Sequence, residues 1–383
     1  MQRSRASGIA VAAMILVAFT AAAPARAVRP TAIVSMGDSY ISGEAGRWQG
    51  NSNDPAGSRD GTDRACSPSL TLCTSYDTSK VYVGGSDADG CHRSDVAEIV
   101  SARVAVTNKL NIACSGAVTA NIFRSSSGGQ AEKGEPPQAD QLVTIARQNR
   151  VQLVVLSIGG NDLGFASIVQ ACLTAYETQQ PPCKDTQQQQ IDAKMPAAMA
   201  GVGKAIDEIR AVLKAAGYSG SQYRIVLQSY PSVLPRASEN RYPEAGSDRT
   251  AIGGCPFYDA DSDWARDSVV EQISDNLKAT ANAKHVQFLD LRDMLQGREM
   301  CSIHDRLATL TSPPSPTTSE WARFLQAGTV IQGDLQEAFH PNAYAQQALG
   351  TCLALLYTHT SGNFACTNTP GGDTAAMTLT STP

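Results

Sequence analysis

Five short runs of β-branched and aliphatic residues recur along the chain, at Ala32–Ser35, Lys109–Ala113, Gln152–Ser157, Arg224–Gln228 and Val286–Leu289. Each is too short for a helix and is bounded by polar or turn-forming residues, the pattern of strands buried on both faces. Elsewhere the apolar positions return every three to four residues. Pro137–Arg150 has this period, and Pro196–Ala216 carries Met199, Val202, Ile206, Ile209, Val212 and Leu213 before stopping at Gly217, a good C-cap. Asp263–Ala283 repeats it through Val269, Val270, Ile273 and Leu277, and a last helix is predicted over Ala343–Tyr357. Strands alternating with helices indicate an α/β fold: a three-layer α/β/α sandwich around a five-stranded parallel sheet.

The pattern breaks down in four places. Gly43–Gly90 is rich in Gly, Ser, Asp and Asn, and Tyr230–Asp261 is rich in Pro and Arg. Loops this long inside a compact unit are usually functional or disordered. Thr311–Thr318 reads as a Pro/Ser/Thr surface loop. Residues 367–383 have low complexity and are expected to be disordered. The N-terminus reads as an export signal: Arg3 and Arg5, an apolar stretch from Gly8 to Ala23, then Ala25-Arg26-Ala27 as a small-x-small cleavage site. That stretch is short for a spanning helix, and no later segment is apolar enough to cross a bilayer. The organisation expected is thus a signal peptide over 1–27, one catalytic domain over 28–366 and a tail over 367–383.

Charge narrows the partners. The formal net charge is −5, and the export segment contains only positive charges, so the remainder is more acidic still. An acidic surface without Lys/Arg clusters argues against nucleic acid or anionic membrane as a partner. All ten cysteines follow the cleavage site, and an even number in an exported chain favours disulfides. Cys172 with Cys183 and Cys352 with Cys366 are short closures legible from spacing. No Cys-x-x-Cys with accompanying His is present, so no zinc site is expected. Asp87-Ala88-Asp89-Gly90 lacks the remaining ligands of a calcium loop and reads as a turn.

Four small motifs carry candidate chemistry. Gly37-Asp38-Ser39-Tyr40 follows the first strand and puts the Ser39 hydroxyl at the carboxyl edge of the sheet, where ligands of open α/β folds collect. Gly116 lies in Ala-Cys-Ser-Gly-Ala and Asn161 in Gly-Gly-Asn-Asp, each after a predicted strand. Of five histidines only His340 sits in Phe-His-Pro-Asn just ahead of a C-terminal helix, with Pro341 suited to its first turn. No Gly-x-Ser-x-Gly occurs, which excludes the α/β-hydrolase elbow as the setting for Ser39. Taken singly, each motif is also an ordinary turn or cap.

In chain order, Ser39, Gly116, Asn161 and His340 spell the SGNH signature. The chain resembles a secreted actinobacterial GDSL/SGNH hydrolase of the Streptomyces esterase and lipase type. The resemblance implies a flavodoxin-like SGNH fold and a carboxylic ester hydrolase acting through an acyl-enzyme. Ser39 is then nucleophile, His340 base, and the Ser39 and Gly116 amides with the Asn161 side chain form the oxyanion hole. The family's usual third member stands three residues before the histidine, where this chain has Glu337 instead of Asp. Either the Glu337 carboxylate or a main-chain carbonyl near Glu337 or Ala338 would orient His340. By the same resemblance the cysteines pair as Cys66–Cys91, Cys172–Cys183 and Cys255–Cys301, leaving Cys73 with Cys114.

The expected substrate is a small-molecule or lipid ester, the enzyme needing no cofactor or metal and working as a secreted monomer. Deacetylation of a polysaccharide is the alternative chemistry, and a glycan-binding protein on a hydrolase scaffold the non-enzymatic one. In Cys91-His92-Arg93-Ser94, Arg93 is expected to pair with an acid, His92 to be exposed and Ser94 to cap a helix.

Overall fold

The computed structural model describes residues 29–54, 59–68, 73–326 and 332–383. The export segment predicted over 1–27 lies outside them. The strands run β1 Thr31–Gly37, β2 Cys66–Pro68, β3 Cys73–Tyr76, β4 Asn108–Asn111, β5 Arg150–Ser157, β6 Arg224–Gln228, β7 Gln287–Asp290, β8 Asn363–Asn368 and β9 Met377–Thr382. The helices are α1 Ser39–Ser42, α2 Glu98–Ser101, α3 Thr119–Ile122, α4 Gln138–Gln148, α5 Gly160–Leu163, α6 Phe165–Glu177, α7 Lys184–Ala215, α8 Asp259–Trp264, α9 Val270–Ala283 and α10 Ala343–Tyr357.

Seven strands form the main sheet in the order β4-β1-β5-β6-β7-β8-β9. All neighbours pair parallel except β8 and β9, which are antiparallel. From β1 the chain first adds β4 on one side and then β5 on the other. The carboxyl end of β1 is therefore the point where strand order reverses, the place such sheets leave open for a ligand.

Alternate residues of the strands feed two cores. Ile33, Leu153, Val155, Val226 and Leu289 pack with Ile99, Ala348 and Leu353 of α2 and α10. Val34, Met36, Val154, Leu156 and Phe288 pack with Leu142, Val202, Ile206 and Leu277 of α4, α7 and α9. That two-sided burial makes the strands read as continuous apolar runs.

Four expectations are corrected. The sheet has seven strands, not five, because β8 and β9 carry few aliphatic side chains. The tail over 367–383 is ordered: all six residues of β9 pair with β8, and Met377 and Leu379 pack against the core. Its alternating threonines are β-branched and suit a pleated edge. Helix α7 begins at Lys184 and contains Pro196 rather than starting there, since Ile191 and Met195 extend the buried face with Leu163 and Ala198. The helix predicted over Asp263–Ala283 begins at Asp259 and includes a π-helical turn over Ala265–Val269. Helix α6 has no counterpart among the predicted helices.

The cysteines pair as Cys66–Cys73, Cys91–Cys114, Cys172–Cys183, Cys255–Cys301 and Cys352–Cys366. The expected Cys66–Cys91 and Cys73–Cys114 bridges are thus exchanged. Cys66 and Cys73 sit on the antiparallel strands β2 and β3, a local pairing that leaves Cys91 free to reach the loop after β4. A peptide map of the unreduced protein should recover Cys91 linked to Cys114. A peptide joining Cys66 to Cys91 would contradict this arrangement.

Candidate active site

The nucleophile candidate is aimed by a crowded backbone. Gly37 ends β1 with φ +138°, and a Cβ there would lie 1.9 Å from the Ser157 carbonyl oxygen of β5. Only glycine fits so close an approach. The Gln138 amide clamps the same residue, accepting from its N–H and donating to its carbonyl, both at 2.7 Å. Asp38 then caps the short α1 by accepting from the Tyr40 N–H at 3.2 Å.

His340 arrives from the far end of the chain. Its Nε2 lies 2.7 Å from Ser39 Oγ, 301 positions away, and its Nδ1 lies 2.9 Å from the Ala338 carbonyl oxygen. With Nδ1 protonated and donating to that carbonyl, Nε2 is the acceptor facing the serine. Phe339 holds φ +64°, and its carbonyl accepts from the Tyr40 hydroxyl at 2.9 Å. Main-chain bonds from Phe339 N–H to Arg323 and from Arg323 N–H to His340 pin the turn. Asn342 caps α10, accepting from the Tyr344 and Ala345 amides, so Pro341 stands just ahead of the helix and not in its first turn. Burial pulls the His340 imidazole below its ordinary value, against the upward pull of the Glu44 charge and the Ala338 carbonyl.

The Glu337 carboxylate does not reach the histidine. Its Oε2 accepts from the Trp48 indole at 2.8 Å and from the Asp334 amide at 3.1 Å, and Oε1 lies 2.5 Å from the Tyr82 hydroxyl. Burial pushes its carboxyl above the usual range, against the nearby Arg47 guanidinium and the Tyr82 and Trp48 hydrogen bonds. A 3₁₀ turn over Leu335–Glu337 turns this side chain toward Trp48 and leaves the Ala338 carbonyl under the imidazole.

The two oxyanion candidates are tied together. Asn161 lies in α5 just beyond β5, and its Nδ2 donates to the Ala117 carbonyl at 2.9 Å, beside Gly116. One hydrogen of that amide is therefore engaged by protein and the other is not used by the same bond. Gly116 has φ +88°. Asn161 lines the same pocket as Ser39, whereas Gly116 is not among its lining residues.

Several contributors had no sequence reading. Tyr230, directly after Ser229 at the end of β6, donates to Asp38 Oδ2 at 2.5 Å and accepts from the Gly160 amide at 3.1 Å. It so joins the Gly-Asp-Ser and Gly-Gly-Asn-Asp segments, and its position at a strand's carboxyl end was the available signal. Burial pushes the Asp38 carboxyl up to about 7 despite the Tyr230 and Tyr40 hydrogen bonds. Arg93 pairs with Glu135 as expected. His92, expected to be exposed, is buried with Nδ1 2.6 Å from Glu44 Oε1, and α2 starts at Glu98 without a Ser94 cap.

Beside Ser39 and Asn161 opens a pocket of about 120 Å³. Its walls include Leu163, Phe165, Ile168, Ile191, Trp264 and Ile273. Helix α6, stapled to the start of α7 by Cys172–Cys183, supplies one side. Among the described residues, cysteines are present in both three-residue groups with metal-ligand spacing, Cys172-Cys183-Asp261 and Asp89-Cys91-Glu135, and all of them are in disulfides. Among the described residues no helix is long and apolar enough to cross a membrane.

A hydroxyl bonded to an imidazole at a sheet switch point, beside amide donors and an apolar pocket, is equipped for acyl transfer. The protein is a carboxylic ester hydrolase of α/β architecture. It belongs to the GDSL-like lipase/acylhydrolase family, whose model matches residues 79–348, a span that contains Gly116, Asn161 and His340 and begins downstream of Ser39. No curated protein matches the sequence. Among solved structures the chain is similar to an extracellular lipase from Streptomyces rimosus, at 22% identity and TM-score 0.45 over 86% of this chain and 100% of that one. It is also similar to phospholipase A1 from Streptomyces albidoflavus, at 19% identity and TM-score 0.44 over 87% and 100%. A carbohydrate acetylesterase from Sinorhizobium meliloti aligns at 13% identity and TM-score 0.34 over 86% and 98%.

Because Glu337 bonds to Trp48 and Tyr82 and not to His340, Glu337→Gln should leave turnover within about tenfold of wild type while lowering the melting temperature. Loss of a triad carboxylate can cost about 10⁴-fold. A loss of that size in a variant that still melts like wild type would contradict the geometry.

Proposed function

We propose that the protein is a secreted serine hydrolase that cleaves esters of medium-length or longer apolar acyl groups through a Ser39–His340 dyad. The carrying observation is the 2.7 Å contact between Ser39 Oγ and His340 Nε2 at the mouth of an apolar pocket. His340 takes the Ser39 proton as Oγ attacks the acyl carbon. The Asn161 amide and the Gly116 and Ser39 N–H groups stabilise the oxyanion. Collapse expels the alcohol with the proton from His340, and water activated by the same imidazole then clears the acyl-enzyme. The Ala338 carbonyl fixes the tautomer and orientation, the task a carboxylate performs in a triad. Five disulfides, together with the export signal read in the first residues, support an extracellular site of action.

The pocket favours acyl chains over acetyl groups. An acetyl would leave most of the apolar wall untouched, whereas each methylene buried there contributes up to about 0.8 kcal/mol. A polysaccharide O-acetyl ester gains nothing comparable. With p-nitrophenyl esters from acetate to decanoate, kcat/KM should rise by up to about fourfold per methylene until the pocket is filled. A flat or falling series would contradict the acyl pocket. Ser39→Ala and His340→Ala should each lose many thousandfold of turnover while keeping the fold. Retention of more than about a tenth by either would overturn the dyad.

A further inference from the structure

Glu44 follows Ser39 by five positions, and its amide donates to the Ser39 carbonyl at 3.3 Å. Its side chain is fully buried, a costly place for a carboxylate unless it is paired. Three donors from distant parts of the chain converge on it. His92 Nδ1 lies 2.6 Å from Oε1, while Oε2 receives both the Ser115 hydroxyl and the Gln336 side-chain amide, the latter at 2.9 Å.

Each donor belongs to a segment that matters. Ser115 immediately precedes Gly116, and its own amide bonds to the Cys91 carbonyl at 3.2 Å, next to the Cys91–Cys114 bridge. Gln336 lies in the 3₁₀ turn two residues ahead of Ala338, whose carbonyl orients His340. His92 is stacked on Tyr82, with ring centroids 4.5 Å apart, and Tyr82 in turn reaches Glu337.

We propose that Glu44 is a positioning residue, whose buried carboxylate holds the Gly116 loop and the His340 turn in register with Ser39. The proposal rests on the dyad reading above. An ionised carboxylate accepts at both oxygens and offers about four lone-pair sites, which matches three donors. A glutamine in its place presents one acceptor oxygen and one donor nitrogen, so whichever partner meets the nitrogen has to accept instead of donate. Burial lowers the His92 imidazole, but the Glu44 hydrogen bond and charge outweigh it and hold His92 above its ordinary value. The lever is geometric: removing an oxyanion donor outright costs about 10²–10³ in turnover, and displacing one costs part of that.

The test compares Glu44→Gln and Ser115→Ala with wild type by thermal melting, by kcat and KM on a p-nitrophenyl ester, and by inhibition with an alkylboronic acid. The boronate becomes tetrahedral on a reactive serine and places its oxygen where the oxyanion forms. Glu44→Gln should lose about tenfold or more in kcat with KM within about twofold, and its boronate affinity should fall by a similar factor. Ser115→Ala, a small change at the link to Gly116 alone, should show the same split to a lesser degree and keeps the question open to test where Glu44→Gln does not fold. A lowered melting temperature with kcat and boronate affinity both within about twofold of wild type would overturn the proposal, leaving Glu44 a structural residue. Absence of boronate inhibition in the wild type would instead overturn the serine-nucleophile reading on which it rests.

Discussion

At Gly37 two parallel strands come so close that no side chain fits between them. A Cβ there would stand 1.9 Å from the Ser157 oxygen, and Asp38 N–H donates to that same oxygen at 3.0 Å. The contact fixes where β1 stops and where Ser39 begins. It also brings the segment after β5, with Gly160 and Asn161, alongside the serine. Gln138 then locks the Gly37 peptide from α4, and Tyr230 ties Asp38 to Gly160 from beyond β6. The histidine reaches a serine already held on three sides, so its own turn needs to supply only reach and orientation.

How the buried carboxylates are distributed follows from that economy. Glu44, Glu337 and Asp38 all lie close to the site, yet none bonds to His340. Glu337 serves the Trp48 cluster, where the Arg323 guanidinium carbon stands 3.5 Å from the indole centroid. In the proposed dyad a neutral carbonyl orients the base instead, and burial favours the neutral imidazole. A carboxylate at Nδ1 would stabilise the imidazolium more strongly, and would also raise the pH at which the resting base becomes protonated.

Much of this was legible in the chain because its signals are contiguous. Gly-Asp-Ser, Gly-Gly-Asn-Asp and His-Pro each report a strand end or helix entrance, and the apolar runs reported the parallel strands from β1 to β7. What escaped depends on the path of loops. Cys66 and Cys73 meet because β2 and β3 pair antiparallel, which no hydrophobic pattern announces. Glu337 stands at the right spacing from His340, but the 3₁₀ turn and the positive φ of Phe339 direct it elsewhere. Threonine-rich β9 looked like a solvated tail because its composition is polar, and only the partner strand β8 reveals its alternation. Tyr230 and Gln138 each act through a pair of long-range hydrogen bonds, for which local sequence carries no spacing rule.

The central claim is that Ser39 is activated by a buried imidazole oriented through a main-chain carbonyl. It is tested most directly by the pH dependence of covalent modification with a fluorophosphonate, the adduct located by mass spectrometry. The reagent should attach to Ser39 alone. Because the base must be neutral to take the serine proton and burial lowers its pKa, the rate should fall off on the acid side only below about pH 6.5, the ordinary histidine value. Modification of another residue, or an acid limb centred above that value, would contradict the account.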